Sequence, residues 1–210
     1  MVLVVGTGTE VGKTWVSTRL LTGLREVGVT VAARKPAQSF NEGDDPQGFD
    51  SALLGAASGE DSLIVCPRHR WYTVAMAPPM AAEYLGRTAF TIAQLVDELN
   101  WPKDQVAVGL VESAGGVGSP QADDGDAVAL RGALAPDVVL LVADAGLGTI
   151  NAVRLSVGAL GRNITVVLNR FDDSSALHVR NRQWLEQRDG LRVVVLPGEE
   201  QKMITLVGGE

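Results

Sequence analysis

The chain has 210 residues, 46% of them apolar and 20% charged, and 18 Lys and Arg against 25 Asp and Glu leave a formal charge of −7. An apolar fraction of that size can fill a core without disulfides or structural metal, which excludes wholesale disorder and points to one domain over residues 1–210. The acidic balance excludes a generic polyanion binder, so neither nucleic acid nor a membrane surface is expected as a partner. In chain order, residues 2–5 form the first continuous apolar run, and a helical pattern follows over 12–27. A second apolar run covers 29–33, with a helical pattern from about 46 to 57 and another over 92–100. Strands are predicted over 106–111 and 138–143, a helix over 149–160, a strand over 164–168, a helix over 174–188 and a last strand over 193–196. The apolar runs are continuous rather than alternating, as in sheets covered on both faces. Strand and helix alternate, so the expected fold is α/β: a doubly wound, mainly parallel sheet with helices on both faces.

The least regular stretches, 40–47 and 115–125, are rich in Gly and Asp and follow predicted strand ends. The carboxyl ends of the strands form the ligand crevice of such a sheet, which makes both stretches candidate site loops. Cys66 is the only cysteine, so no intrachain disulfide can form, and His69 and His178 alone cannot build a zinc site. The first apolar run breaks at Gly6, too short for a signal peptide or a membrane span, and cytoplasmic residence is expected.

The strongest local signal is Gly6-Thr-Gly-Thr-Glu-Val-Gly12-Lys13-Thr14, placed after the first strand and opening a helix. Backbone N–H groups of such a loop, with the positive end of the helix behind them, can cradle phosphates. Lys13 can reach the outer phosphates and the Thr14 hydroxyl can ligate Mg²⁺. Gly6 precedes the Gly-Lys pair by five residues, one more than in the common form of the motif. Lys35 follows the second strand, and Pro36 disfavours helix at Lys35, leaving it at the carboxyl rim of the sheet. Glu112 and Asp144 each end an apolar run, where a metal-side carboxylate belongs, and spacing alone does not choose between them. Gly146-Leu-Gly148-Thr149-Ile150-Asn151 leads from a strand into a helix, so its free N–H groups suit an anion, with ordinary capping as the plain alternative.

The loop, the segment Arg34-Lys35-Pro36-Ala37-Gln38-Ser39 and the later Val111-Glu112-Ser113-Ala114-Gly115-Gly116 together resemble dethiobiotin synthetase, a family within the phosphate-loop NTPase superfamily. The resemblance runs in order over most of the chain, and it implies an ATP-dependent, Mg²⁺-dependent ligase of biotin synthesis. By resemblance, Thr9, Glu10, Val11, Gly12, Lys13 and Thr14 hold ATP. Lys13 and Lys35 neutralise charge on the transferring phosphoryl group and the substrate carbamate, and Ser39 adds a hydrogen bond, with Thr9 also near the substrate. Glu112 is favoured over Asp144 for the metal, completed by Asp50 and Thr14. Asn169 pairs with the adenine edge, framed by Pro197, Gly198 and Glu199. Gly148, Thr149, Ile150 and Asn151 receive the carboxylate of 7,8-diaminopelargonate across a two-fold interface, which implies a homodimer; CO₂ or bicarbonate is the other small substrate. Residues 77–81 align with a loop lining the substrate's alkyl chain. Phe40 stands where the family usually carries Gly, Ser113 likewise, and the sequence stops short of the family's C-terminal helix.

Two other readings of the same loop remain open. A nucleotide switch of the partition or scaffold type usually carries a second lysine five residues before the loop lysine, where this chain has Gly8. A ligase-inactive nucleotide-binding paralogue is the other.

Overall fold

The computed structural model describes residues 1–102 and 106–209. In chain order, β1 (Val2–Gly6) leads into α1 (Lys13–Glu26), β2 (Val31–Arg34), β3 (Gln38–Ser39), α2 (Asp50–Ser58), α3 (Ser62–Val65), β4 (Trp71–Tyr72), α4 (Pro78–Tyr84) and α5 (Ile92–Asp97). Then come β5 (Val108–Glu112), β6 (Pro120–Ala122), β7 (Gly125–Asp126), α6 (Ala127–Leu134), β8 (Val138–Asp144), α7 (Thr149–Leu160), β9 (Ile164–Asn169), α8 (Ala176–Gln187), β10 (Arg192–Val195) and α9 (Glu200–Gly208).

The six apolar runs form one parallel sheet in the order β10-β9-β8-β1-β5-β2. Successive residues of each strand point to opposite faces, so every buried strand must feed two cores. Leu3, Val5, Leu141, Val166 and Val195 pack on one side with Ala82, Leu95, Leu130, Val153 and Leu185 from α4, α5, α6, α7 and α8. Val2, Val4, Leu140, Val167 and Val194 pack on the other with Leu20, Leu24, Leu54 and Met203 from α1, α2 and α9. The doubly wound expectation therefore holds. The chain moves from β1 towards β2 on one side and returns to place β8 on the other, which makes the carboxyl end of β1 a topological switch point where ligands bind in such sheets.

Several local expectations change. The helix expected from about 46 divides into a 3₁₀ turn, Pro46–Gly48, and α2, because Phe49 between them is extended (φ −68°, ψ 146°). Residues 77–81, expected as a lining loop, open α4, whose two prolines occupy the first turn where a missing N–H costs nothing. Part of the irregular 115–125 stretch is the β6–β7 antiparallel pair. A helix the sequence did not announce, α9, follows β10 and lies so close to α1 that a Cβ on Gly23 would stand 2.3 Å from Ile204 Cδ1.

Candidate functional site

The loop between β1 and α1 is fixed by one glycine. Gly12 caps α1 with a left-handed backbone (φ 91°) and no side-chain cap, so the first N–H groups of the helix stay free for a ligand. A Cβ on Gly12 would lie 2.1 Å from Asn169 Nδ2, which leaves room for hydrogen alone. Asn169, buried at the end of β9, donates from Nδ2 to the Val11 carbonyl at 3.0 Å and so braces the loop from behind.

Lys13 donates from Nζ to the carbonyls of Gly115 (2.8 Å) and Gly8 (3.2 Å). Burial, and then the neighbouring Lys35 ammonium, lower its pKa to about 8. Lys35 contrasts with it. Its Nζ contacts Asp50 Oδ2 at 2.7 Å, Glu112 Oε1 at 2.9 Å and the Ser113 carbonyl at 3.2 Å. Burial works against its charge, but the two carboxylates outweigh burial and hold its pKa above the ordinary lysine value. Asp50 answers in kind: burial pushes its carboxyl up, and the Lys35 ammonium with the Thr14 hydroxyl brings it below the usual aspartate value. Thr14 Oγ1 lies 2.7 Å from Asp50 Oδ1 and 2.9 Å from Glu112 Oε1, and Ser17 donates to Glu112 Oε2 at 2.7 Å.

These groups meet because of strand order. β5 lies between β1 and β2, and the register Arg34↔Val111 brings the next pair, Lys35 and Glu112, side by side at the rim. Asp144 ends β8 on the far side of β1 and bonds elsewhere, to Gly146 N (2.8 Å) and Arg170 Nη1 (3.0 Å). Burial raises its pKa, and these two partners reverse that to a net lowering.

Thr9, Glu10, Gly12, Lys13, Thr14, Lys35, Ser39 and Asp50 line one cleft of about 660 Å³, joined by Ala75–Pro78 and Arg170. Glu112 is wholly buried beneath it. Ser39 Oγ and Gln38 Nε2 are buried and, among the described residues, have no hydrogen-bond partner. Buried polar atoms of this kind call for a partner, and a ligand in the cleft is one. Two carboxylates and a hydroxyl offer hard oxygens, but among the described residues no cluster of three or more His, Cys, Asp or Glu is placed to bind a metal unaided.

Other predicted residues lie apart. Gly148 (φ 92°) caps α7, and Thr149, Ile150 and Asn151 begin that helix outside the cleft of their own chain. Among the described residues Thr149 Oγ1 is buried without a hydrogen-bond partner, two positions after Leu147, which is 93% exposed. Pro197, Gly198 and Glu199 follow β10, three strands from β1, roughly 14 Å across the sheet. The Glu199 carboxylate is engaged by Arg182 (2.7 Å), the Val195 N–H (3.1 Å) and Lys202 (3.4 Å). Arg170 went unmarked in the sequence, although it lines the cleft. It donates from Nη2 to the Glu10 carbonyl at 2.7 Å, and both residues carry left-handed backbones, φ 56° and 60°. Its only sequence signal is its place directly after a strand-ending Asn.

Against known proteins, a family profile described as an AAA domain matches residues 1–201. A protein of Haloferax mediterranei named ATP-dependent dethiobiotin synthetase BioD is 36% identical over 200 residues, spanning 92% of this chain and 82% of its own. One of the same name from Anaeromyxobacter dehalogenans is 37% identical over 208 residues, 93% and 89% of the two chains. Among solved structures, the signal recognition particle receptor FtsY from Elizabethkingia anophelis superposes with a TM-score of 0.56 at 15% identity, over 97% of this chain and 60% of the other. The MinC:MinD cell division protein complex of Aquifex aeolicus gives 0.53 at 16% identity, over 99% and 84%. These two show the fold alone. Identity of this extent over nearly the whole length assigns the chain to the ATP-dependent dethiobiotin synthetase family.

Proposed function

We infer that this chain is itself an ATP-dependent dethiobiotin synthetase, working as one domain over residues 1–210 on 7,8-diaminopelargonate and CO₂ or bicarbonate. The observation that carries the reading is the convergence of Lys13, Thr14, Lys35, Asp50 and Glu112 at one strand rim. Such a centre contains no histidine and offers charge neutralisation and positioning rather than a strong base, which suits phosphoryl transfer.

One amine of the diamine takes up CO₂ as a carbamate and releases a proton. A carbamate oxygen attacks the γ-phosphorus of ATP, and the bond to the β,γ-bridging oxygen breaks, with ADP leaving on that electron pair. The second amine then attacks the carbamoyl carbon; phosphate departs, a second proton is lost and the ureido ring closes. Lys13 and Lys35 offset the charge of the phosphoryl group and the carbamate, and the unpaired Ser39 hydroxyl donates to a carbamate oxygen. Thr9, Glu10, Val11, Gly12 and Thr14 form the cradle for the phosphates. Thr14, Asp50 and Glu112 are the residues assigned to Mg²⁺, since two carboxylates beside substrate phosphates are an ordinary protein share of such a site. That ion, when bound, supplies charge stabilisation at the phosphate oxygens. Asn169, Pro197, Gly198 and Glu199 are assigned to the base.

Gly148, Thr149, Ile150 and Asn151 of a second copy are assigned to the substrate carboxylate, so the enzyme acts as a homodimer. The partnerless Thr149 hydroxyl and exposed Leu147 support an α7 start that something covers. The reading places the protein in the cytoplasm and involves no nucleic acid or membrane; among the described residues no helix is long and apolar enough to cross a bilayer. The decisive experiment is turnover of diaminopelargonate, bicarbonate and ATP with Mg²⁺. Dethiobiotin and phosphate in equal amounts are expected; folded, Mg²⁺-loaded protein that yields no dethiobiotin overturns the reading.

A further inference from the structure

A second concavity, about 640 Å³, opens beside the strand that carries Ser39 and shares no lining residue with the phosphate-loop cleft. Its walls are Phe40, Arg68, His69, Trp71, Thr73 and Arg87. In a chain of net charge −7 this is a cationic hollow, and the pairing of its charges is uneven.

Arg70, just behind the wall, grips Glu98 with two hydrogen bonds of 2.7 Å, and His69 Nε2 lies 3.0 Å from the same carboxylate. Glu98 is thereby fully engaged. Among the described residues, neither Arg68 nor Arg87 has a carboxylate within ion-pair distance. Arg68 instead lies over the Trp71 ring at 4.7 Å. Arg87 lies over Tyr72 at 5.2 Å and donates to the carbonyls of Trp71 (2.8 Å) and His69 (3.3 Å). Stacking and carbonyl contacts hold a guanidinium in place without cancelling its charge, so two fixed cations face one hollow. Both arginines are exposed, and the ring contacts and the concave setting are what orient their charge.

The hollow also has a flat apolar floor. Phe40 stacks on Phe49 at 4.0 Å between centroids and meets Trp71 edge-on at 6.1 Å. A bare inorganic ion would leave that surface unused. The matching ligand is a small molecule with a carboxylate or phosphate on a flat, apolar body: the anion takes the forked N–H donors of Arg68 and Arg87, and the body lies against Phe40. Phe40 follows Ser39 directly and donates its N–H to the Tyr72 carbonyl at 3.0 Å, while Phe49 precedes Asp50, so an occupant leans on the frame of both site residues.

We propose that the hollow between Phe40, Trp71, Arg68 and Arg87 is a second ligand site, selective for small aromatic carboxylates or phosphates and separate from the nucleotide cleft. Binding does not depend on ligase turnover, so it can fail or succeed independently of the proposed activity. The experiment is calorimetric and NMR titration of the full chain with naphthalene-2-carboxylate, 2-naphthyl phosphate and uncharged naphthalene-2-carboxamide. Saturable binding of at least one anion is expected, with the amide weaker by roughly tenfold, and the stronger anion identifies the headgroup. The doubly substituted Arg68→Ala, Arg87→Ala protein should bind that anion roughly tenfold more weakly, whereas Lys13→Ala should bind it as the parent does. Arg68→Lys with Arg87→Lys, which keeps the charge, should recover part of the loss. Equal binding of the amide, loss of binding in Lys13→Ala, unchanged binding in the double alanine variant, or no saturation by either anion each overturns the proposal.

Discussion

The carboxyl rim of the sheet holds two helix starts, each capped by a left-handed glycine, built on different plans. At α1 the free N–H groups are surrounded by groups from four other segments: Lys35, Asp50, Glu112 and the Gly115 carbonyl all converge on Lys13 and Thr14. At α7 Leu147 faces solvent, and among the described residues the buried Thr149 hydroxyl has no hydrogen-bond partner. The difference teaches where the chain is self-sufficient. The lysine–carboxylate centre at α1 is assembled within one copy, while the α7 start is where the proposed dimer would have to add its surface.

Substitutions that open the α1 centre should have the largest effects. Lys35→Ala leaves the buried Glu112 and the partly exposed Asp50 without their cation, and turnover should fall by ~10³-fold, as when a main electrostatic contact to a transition state is lost. Lys35→Met separates chemistry from folding: thermal denaturation should show a folded protein, and the loss of product should persist. An active Lys35→Met protein would show that the centre is structural only. Gly12→Ala comes next. The left-handed backbone and the 2.1 Å approach to Asn169 together cost about 2 kcal/mol, to be read by urea denaturation and accompanied by weakened nucleotide binding.

Much of the first helix start was legible in the sequence because its parts are contiguous: a β-branched run, glycines at the turn, then Lys-Thr. All six strands were legible for a related reason, since strands buried on both faces read as unbroken apolar runs. What stayed hidden depends on strand order. Glu112 and Asp144 look alike in sequence, both ending such runs, and only the placement of β5 between β1 and β2 gives Lys35 to Glu112. Helix α6 escaped notice because Ala127–Leu134 is short and nearly all apolar, although its buried Ala127, Leu130 and Leu134 fall at helical spacing and Asp126 caps it by accepting from Val128 and Ala129 N–H. Arg170 showed only its place after a strand-ending Asn, because its partners Glu10 and Asp144 lie 160 and 26 residues away.

The α7 start should respond differently from the α1 centre. Leu147→Asp places a charge where a covering surface would sit. If the proposed dimer forms through this surface, sedimentation should show monomers, with the KM for the diamine raised roughly tenfold and nucleotide affinity unchanged. If nucleotide affinity falls in parallel, the two regions are not separable. The proton balance of the α1 centre gives a gentler test. Lys13, with a pKa of about 8, is protonated below that value, so phosphate affinity is full there and declines as pH rises through it. Between pH 7 and 8.5 nucleotide affinity should weaken by roughly fourfold. Lys13→Arg, whose charge persists over that range, should give a flat profile.

The Arg170 side chain spans the two regions, and the smallest predicted effect is the one that asks whether they communicate. Its guanidinium joins the Glu10 carbonyl to Asp144, and the other oxygen of Asp144 accepts from Gly146 at the approach to α7. The side chain is more than half exposed, so the ion pair itself contributes little to stability. What it holds is relative position. Arg170→Ala should therefore leave the denaturation midpoint nearly unmoved while raising the KM for ATP and for the diamine together by roughly threefold. Asp144→Asn should produce the same pair of shifts, and the two substitutions combined should add nothing further, because each cuts the same link. Independent, additive losses would mean that the α1 centre and the α7 start are joined only by the sheet beneath them.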